Sequence, residues 1–530
     1  MNSLTKRNSQ WALLDLDAIQ SNPTSEVATT KSGYLGPWKI LLLSICGMFA
    51  LIAGWQASVN PESHSTWGIE VASVSLVLLS SFFVISTIVF HSPYLFTSAY
   101  VLALSLFHLG ITIPDSLGFM YIPAWHASSQ IKWLEQAGWY TILSLSCIGI
   151  GFGLSLTPAR QINLRNWVDE GQASRILSVA YRDGIGLLLI SAAMLGLAIA
   201  SFGNLLAYSR VEFFRGAGDT RGLGVFLMIF PSAVTLLVIG ARTRLQRLFS
   251  WSVLVFGVAV IMLSGYRTSA LYPLLIGAVV WVKIGRRIPT LYAIAAVAVI
   301  MVAISAVGIL RAYKYQEMDA KKLSESVQSA STQDTFRTLG QTGALLGHVL
   351  RLVPREDPYR YGETYAQYVI TSIPNLSMDK RESARSQVLR EKLKDPTAIT
   401  RLSPSDWLTY RLLPKIFGLG EGVGFTGIGE PYLNFGLLGV IVFFSVLGYL
   451  LGRLDQVNLL ERPGVLIFTS AILWHLIQTV RDDFSNFLKP MLFTYVFLMC
   501  WRLMMRMISG AAPHPTTHQS LTGPQQQERA

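Results

Sequence analysis

Apolar positions along this chain come in long runs instead of alternating with polar ones. Twelve stretches approach the ~20 residues that carry a helix across a bilayer. They are 38–57, 68–90, 93–113, 138–157, 184–208, 223–241, 248–265, 269–285, 288–310, 431–452, 464–480 and 486–508. A very short turn at Ser264–Thr268 joins the seventh and eighth.

One interval breaks this rhythm. Residues 311–430 carry charges of both signs, and apolar residues recur there at helical spacing: Phe336, Leu339, Leu345, Leu346, Val349 and Leu352. Further short helices are predicted over 364–373 and 407–416, punctuated by Pro354, Pro374, Pro404 and Pro414, with 379–395 facing solvent. The pattern predicts an all-α polytopic membrane protein. It has a tail at 1–37, helices 1–9 in 38–310, a large helical loop domain at 311–430, helices 10–12 in 431–508, and a Pro/Gln/Thr-rich disordered tail at 509–530.

Composition agrees: 51% of residues are hydrophobic and 14% charged, too few charges to coat a soluble protein of 530 residues. The net charge of +12 sits largely in short loops on one side. That side holds Arg160, Arg165, Arg175 and Arg182, then Arg242, Arg244 and Arg247, then Lys283, Arg286 and Arg287, then Arg453, Arg462, Arg502 and Arg506. Loops on the other side hold no base in 58–67 and only Lys132 in 114–137. By the positive-inside rule both termini are cytoplasmic and 311–430 is outside. Anionic lipid and this rule account for the charge without nucleic acid. Residues 1–37 lack the form of a cleavable signal, so the first span is expected to act as an anchor. Cys46, Cys147 and Cys500 lie inside apolar runs and read as small hydrophobes, not as disulfide or zinc partners.

Ionisable groups at membrane mouths are costly and mark functional candidates. Arg267 lies in Ser264-Gly-Tyr-Arg-Thr-Ser269 and Arg481 in Val480-Arg-Asp-Asp-Phe484, both at outer helix ends. Each either snorkels to headgroups or, on a face otherwise poor in arginine, forks two donors onto phosphate. Arg210, Arg215 and Arg221, in a glycine-rich outer loop, form a further anion-binding candidate or a solvated connector. Glu430, and Asp482 and Asp483 beside Arg481, are acid/base candidates that serve either as a general base or as orienters of arginine. His348 is another possible base, set against simple packing in a helix. Gly448 and Gly452 read as helix packing. No Walker loop, dinucleotide fingerprint, zinc motif or nucleophile elbow occurs.

Taken in order, Ser-Gly-Tyr-Arg267-Thr-Ser, Tyr361-Gly-Glu-Thr-Tyr365, Ser372-Ile-Pro-Asn375, Gly429-Glu-Pro-Tyr-Leu-Asn-Phe-Gly-Leu-Leu-Gly439 and Arg481-Asp-Asp-Phe resemble the Wzy-type oligosaccharide repeat-unit polymerases of bacterial surface glycan synthesis. The resemblance covers the chain from about residue 205 onward. It implies a GT-C-like glycosyltransferase of the bacterial inner membrane that transfers a glycan from one undecaprenyl diphosphate to the sugar of another lipid-linked unit. Arg267, Arg481, Arg215 and Arg210 would bind diphosphate, Glu430, Asp482 or His348 would serve catalysis, and Tyr361, Tyr365, Tyr432 and Asn434 would bind substrate. A first outer loop with Glu62 as its single acid favours a metal-independent reaction without cofactor. The resemblance further implies a Wzz-type chain-length regulator and a Wzx-type flippase as partners. An O-antigen ligase is the nearest alternative and a lipid-linked oligosaccharide flippase or transporter the alternative from another class. The large domain on one side, and the lack of matching broken helices in two halves, weigh against transport.

Overall fold

A computed structural model describes residues 35–59, 68–119, 131–157, 170–202, 221–263, 267–289, 332–372, 402–418 and 422–509, with scattered positions in 291–302 and at 399. Among these the chain is helical, with no strand. Chain order gives α1 (Leu35–Ser58), α2 (Ile69–Phe90), α3 (Phe96–Leu109), α4 (Thr112–Ser116), α5 (Ile131–Ser155), α6 (Glu170–Phe202), α7 (Arg221–Gly240), α8 (Arg244–Leu263) and α9 (Arg267–Lys283). Then follow α10 (Thr332–Leu352), α11 (Glu363–Ser372), α12 (Pro404–Leu412), α13 (Pro414–Gly418), α14 (Gly429–Asp455), α15 (Pro463–Ala471), α16 (Leu473–Gln478) and α17 (Ser485–Ser509).

Six of these helices are long and apolar enough to cross a membrane: α1, α2, α5, α6, α14 and α17. The expected spans at 93–113, 223–241, 269–285 and 464–480 are also helical, and the first and last of them are cut short. Local causes are visible. α3 ends at Gly110 and 464–480 breaks at Ile472 between α15 and α16, whereas α7 and α9 run on through Pro231 and Pro273. Most of 288–310 and all of 379–395 lie outside the described residues, as do the two tails 1–34 and 510–530. α6 begins well before its expected start, so Arg175 and Arg182 belong to the helix and not to a loop.

The core is a bundle around α5, which is buried over most of its length and takes α1, α2, α3, α10 and α14 on its sides. Gly448 of α14 lies so close to Ile148 that a Cβ would strike the Ile148 carbonyl, as the small-residue spacing predicts. α10, in the inserted segment, packs against α3 and α5. Gly340, Gly343 and Gly347 bring its backbone against Gly110, His108 and Trp133. The expected helices at 364–373 and 407–416 are α11 and the α12–α13 pair, with α12 capped by Ser403, whose hydroxyl accepts from Asp406 N at 3.2 Å.

Candidate active site

The inserted segment and the last helices meet at the start of α14. The loop before α14 pairs with the chain after α16: Phe425 N donates to the Arg481 carbonyl and Gly427 N to the Val480 carbonyl, both at 3.2 Å. On the other flank, Arg360 N and Tyr361 N donate to the carbonyls of Leu433 and Asn434, both at 3.0 Å. Those carbonyls are free to accept because α14 is interrupted at Gly436, with φ 61° and ψ −147°, a backbone shape open to glycine.

Glu430 is the centre of this junction, with 2% of its surface exposed. Its Oε1 accepts from the Thr364 hydroxyl at 3.0 Å and its Oε2 from Phe484 N at 2.7 Å. One carboxylate thus ties α14 to α11 and to the turn that opens α17. Asn434, one helical turn on, donates to Thr364 Oγ1 at 2.8 Å and accepts from Gly362 N at 2.9 Å. Arg360 donates to the Leu402 carbonyl at 2.9 Å and lies over the Trp407 ring at 5.5 Å. Burial pushes its guanidinium pKa down, opposed by the charges of Glu363, Asp357 and Glu430 and by Tyr368.

The three residues after α16 behave differently from one another. Asp483 is buried and held on several sides, by the Ser485 hydroxyl, the backbone N–H of Ser405 and the hydroxyl of Tyr368. Burial raises its carboxyl to about 6; the Ser485 hydroxyl opposes the rise and the Asp482 charge adds to it. Asp482 is half-buried, and burial raises its pKa against the pull of Arg481 and a bond from the Gln478 side chain. Arg481 is half-buried and forms no ion pair among the described residues.

The remaining predicted residues divide. Tyr365 stands edge-on to Phe484, its ring centroid 5.8 Å away, so it belongs to the junction. Tyr432 points to the other side of α14, donating to the Val353 carbonyl at 3.2 Å and packing edge-on against Tyr140 and Tyr359. Tyr361 is 77% exposed, with φ 46°. His348 is half-buried on α10, its pKa pushed down to about 4 by burial and by Arg351, and no hydrogen bond joins it to Glu430, Asp482 or Asp483. Arg267 opens α9 by its backbone, while its side chain lies outside the described atoms, as do Arg210 and Arg215 altogether. Among the described residues no cluster of histidine, cysteine and acids could hold a metal.

The O-antigen polysaccharide polymerase Wzy family matches residues 39–509, nearly the whole chain. The chain belongs to this family. No curated protein and no solved structure matches it. Membership carries a membrane polysaccharide polymerase of multi-pass form, and the helices long enough to cross a bilayer agree with it. The family match begins within α1, so it takes in the first spans that the motifs of the second half left unassigned.

Reading single residues missed Arg360, Thr364 and Tyr368 and gave Asp483 no role apart from Asp482. The signal available was proximity in sequence: Arg360 and Thr364 flank the Tyr361-Gly-Glu segment, and Asp483 follows Asp482.

Proposed function

We propose that this chain joins polyprenyl-diphosphate-linked oligosaccharide units into a surface polysaccharide at the Glu430 end of the bundle, on the periplasmic face, without a metal. The acceptor sugar hydroxyl attacks the anomeric carbon of the donor glycan. The bond from that carbon to the diphosphate oxygen breaks, and polyprenyl diphosphate leaves with the bonding electron pair. A diphosphate leaves as an anion and requires positive charge more than a proton. Arg481 and Arg267, with Arg210 and Arg215 from the segment before α7, supply that charge.

The acceptor proton passes to Asp482. Supporting this is the contrast with its neighbours: both Glu430 oxygens and the Asp483 carboxyl are taken by protein donors and buried, whereas Asp482, with a bond from Gln478, keeps partial exposure beside Arg481. Glu430 and Asn434 are positioning residues, and Tyr361 and Tyr365 sit on the approach for substrate. A Wzx-type flippase would deliver the substrate and a Wzz-type regulator would set chain length. The observation that carries the reading is the pairing of 425–427 with 480–481, which holds Arg481 and Asp482 where the inserted segment meets the bundle.

The test is reconstitution. Purified protein in bilayers, given a lipid-linked repeat unit and chelator, should build a ladder of products. Absence of a ladder until Mg²⁺ or Mn²⁺ is added would overturn the metal-free scheme. Transfer of single units to a different acceptor lipid, without a ladder, would favour the ligase.

A further inference from the structure

On the far side of α14 from Glu430, a cavity of about 420 Å³ opens between the end of α1, the start of α5 and the segment after α10. That size falls within the roughly 300–1,000 Å³ of small-molecule sites. Tyr432 lines it, and Glu430 two residues earlier sits about 200° round the same helix.

Two features define what the cavity would accept. Its walls include the rings of Trp133, Tyr140, Tyr359 and Tyr432. Tyr432 is fixed edge-on to Tyr140 with centroids 5.1 Å apart and to Tyr359 at 6.0 Å. At the mouth, the exposed guanidinium of Arg355 lies 4.7 Å over the Trp133 ring and has no ion pair among the described residues. Gln136, 8% exposed, ties the wall together by donating its Nε2 to the Ala57 carbonyl at 3.1 Å.

A lipid tail has no oxygen to set against the Arg355 guanidinium, and a bare anion has no face to lay on the rings. A neutral polyol with flat C–H faces suits both the walls and the rim, its faces against the rings and its hydroxyls on Arg355. We propose that this cavity binds a pyranose unit of the lipid-linked oligosaccharide, separately from the diphosphate. The proposal rests on the polymerase reading.

The test uses full-length protein in lipid nanodiscs and two probes measured by native mass spectrometry. One is undecaprenyl diphosphate. The other is the repeat-unit oligosaccharide released by mild acid from the lipid-linked fraction of the host. Ser58→Trp plugs the mouth from an exposed position at the end of α1, and Arg355→Ala removes the rim cation without touching the core. Both variants should bind the oligosaccharide about tenfold or more weakly, about 1.4 kcal/mol, and bind undecaprenyl diphosphate as wild type does. Arg481→Lys should show the reverse. Unchanged oligosaccharide binding in both cavity variants, in a protein whose wild type builds a ladder, would sink the cavity assignment alone. A parallel loss of both probes would also overturn it. A wild type that binds neither probe and builds no ladder would take the polymerase reading down with it.

Discussion

Glu430 and Asp455 lie near the two ends of α14 and sit in contrasting company. Asp455 is fully buried and accepts from Phe96 N at 2.7 Å, Thr97 N at 3.1 Å and Thr97 Oγ1 at 2.7 Å. It thereby caps the first turn of α3, where the helix dipole favours a negative charge. Lys283 of α9 stands 3.6 Å from the carboxylate and donates to the Asp455 carbonyl at 2.7 Å. Lys39 of α1 closes on the Leu156 carbonyl at 2.9 Å, and Gln456 on that of Ser155 at 2.9 Å. Acid and base neutralise each other there, and five helices are pinned. At the Glu430 end a second acid, Asp483, lies nearby; the donors are hydroxyls and backbone N–H groups, and Arg481 is left without an ion pair among the described residues. Charge that the fold does not consume is available to a ligand. The first end holds the bundle together, and the second is where we propose the chemistry.

The comparison breaks most easily at Asp455. Asp455→Ala leaves Lys283 buried without its counter-charge, which should cost roughly 3–5 kcal/mol. Thermal unfolding in detergent should show a large fall, with little folded protein recovered. Replacing both partners, Asp455→Asn with Lys283→Met, should restore much of the loss, because no charge remains to be compensated. A double variant no better than the single would show that the ion pair is not what holds this end.

At the other end the expected loss is in function. Arg481→Lys keeps the charge and loses the planar fork. A charge-assisted contact at a partly desolvated site is worth about 1.5–3 kcal/mol, or roughly 10- to 150-fold in ladder formation. Unfolding temperature should stay near wild type. If Arg267 grips the same diphosphate, Arg267→Lys with Arg481→Lys should fall short of the summed single effects. Normal ladders in both single variants would reduce these arginines to headgroup anchors.

Glu430→Gln tests the scaffold role. An amide presents one acceptor in place of two, so either Thr364 or Phe484 N loses its partner, at about 1–3 kcal/mol. Unfolding temperature and activity should fall together. A sharp loss of turnover with unchanged stability would instead make Glu430 the base.

Much of this architecture can be read from hydropathy, because a helix in lipid must satisfy its own backbone and so advertises itself as an apolar run. The limits are equally physical. α3 and α15 end inside the apolar runs that predicted them, at Gly110 and Ile472, and no single run reveals those breaks. The burial of α10 depends on Gly340, Gly343 and Gly347, whose spacing was visible but whose partner surface on α3 and α5 was not. At the site, Glu430 was legible as a costly acid at a membrane mouth. That Thr364 and Phe484 N, 66 and 54 residues away, would occupy its two oxygens was not. Trp133 and Arg355 come together across more than 200 residues of sequence, and nothing local marks either.

The last expected effect concerns Asp483 and pH. Its folded pKa, about 6, lies above the ordinary value of 3.8 because burial penalises the charged form. The folded protein therefore binds this proton more tightly than the unfolded chain does. The contribution to stability is fully present below about 4, declines as pH rises through the window from about 4 to 6, and is absent above it. Asp483→Asn removes the titration while keeping an acceptor for the Ser485 hydroxyl. Unfolding temperatures measured from pH 4 to 7 should fall with rising pH in wild type relative to the variant, the two curves separating within that window. Parallel curves would mean that Asp483 carries its charge at no cost, matched by donors such as Tyr368 and Ser405. The Glu430 end would then be as well compensated as the Asp455 end, and the contrast between them would rest on Arg481 alone.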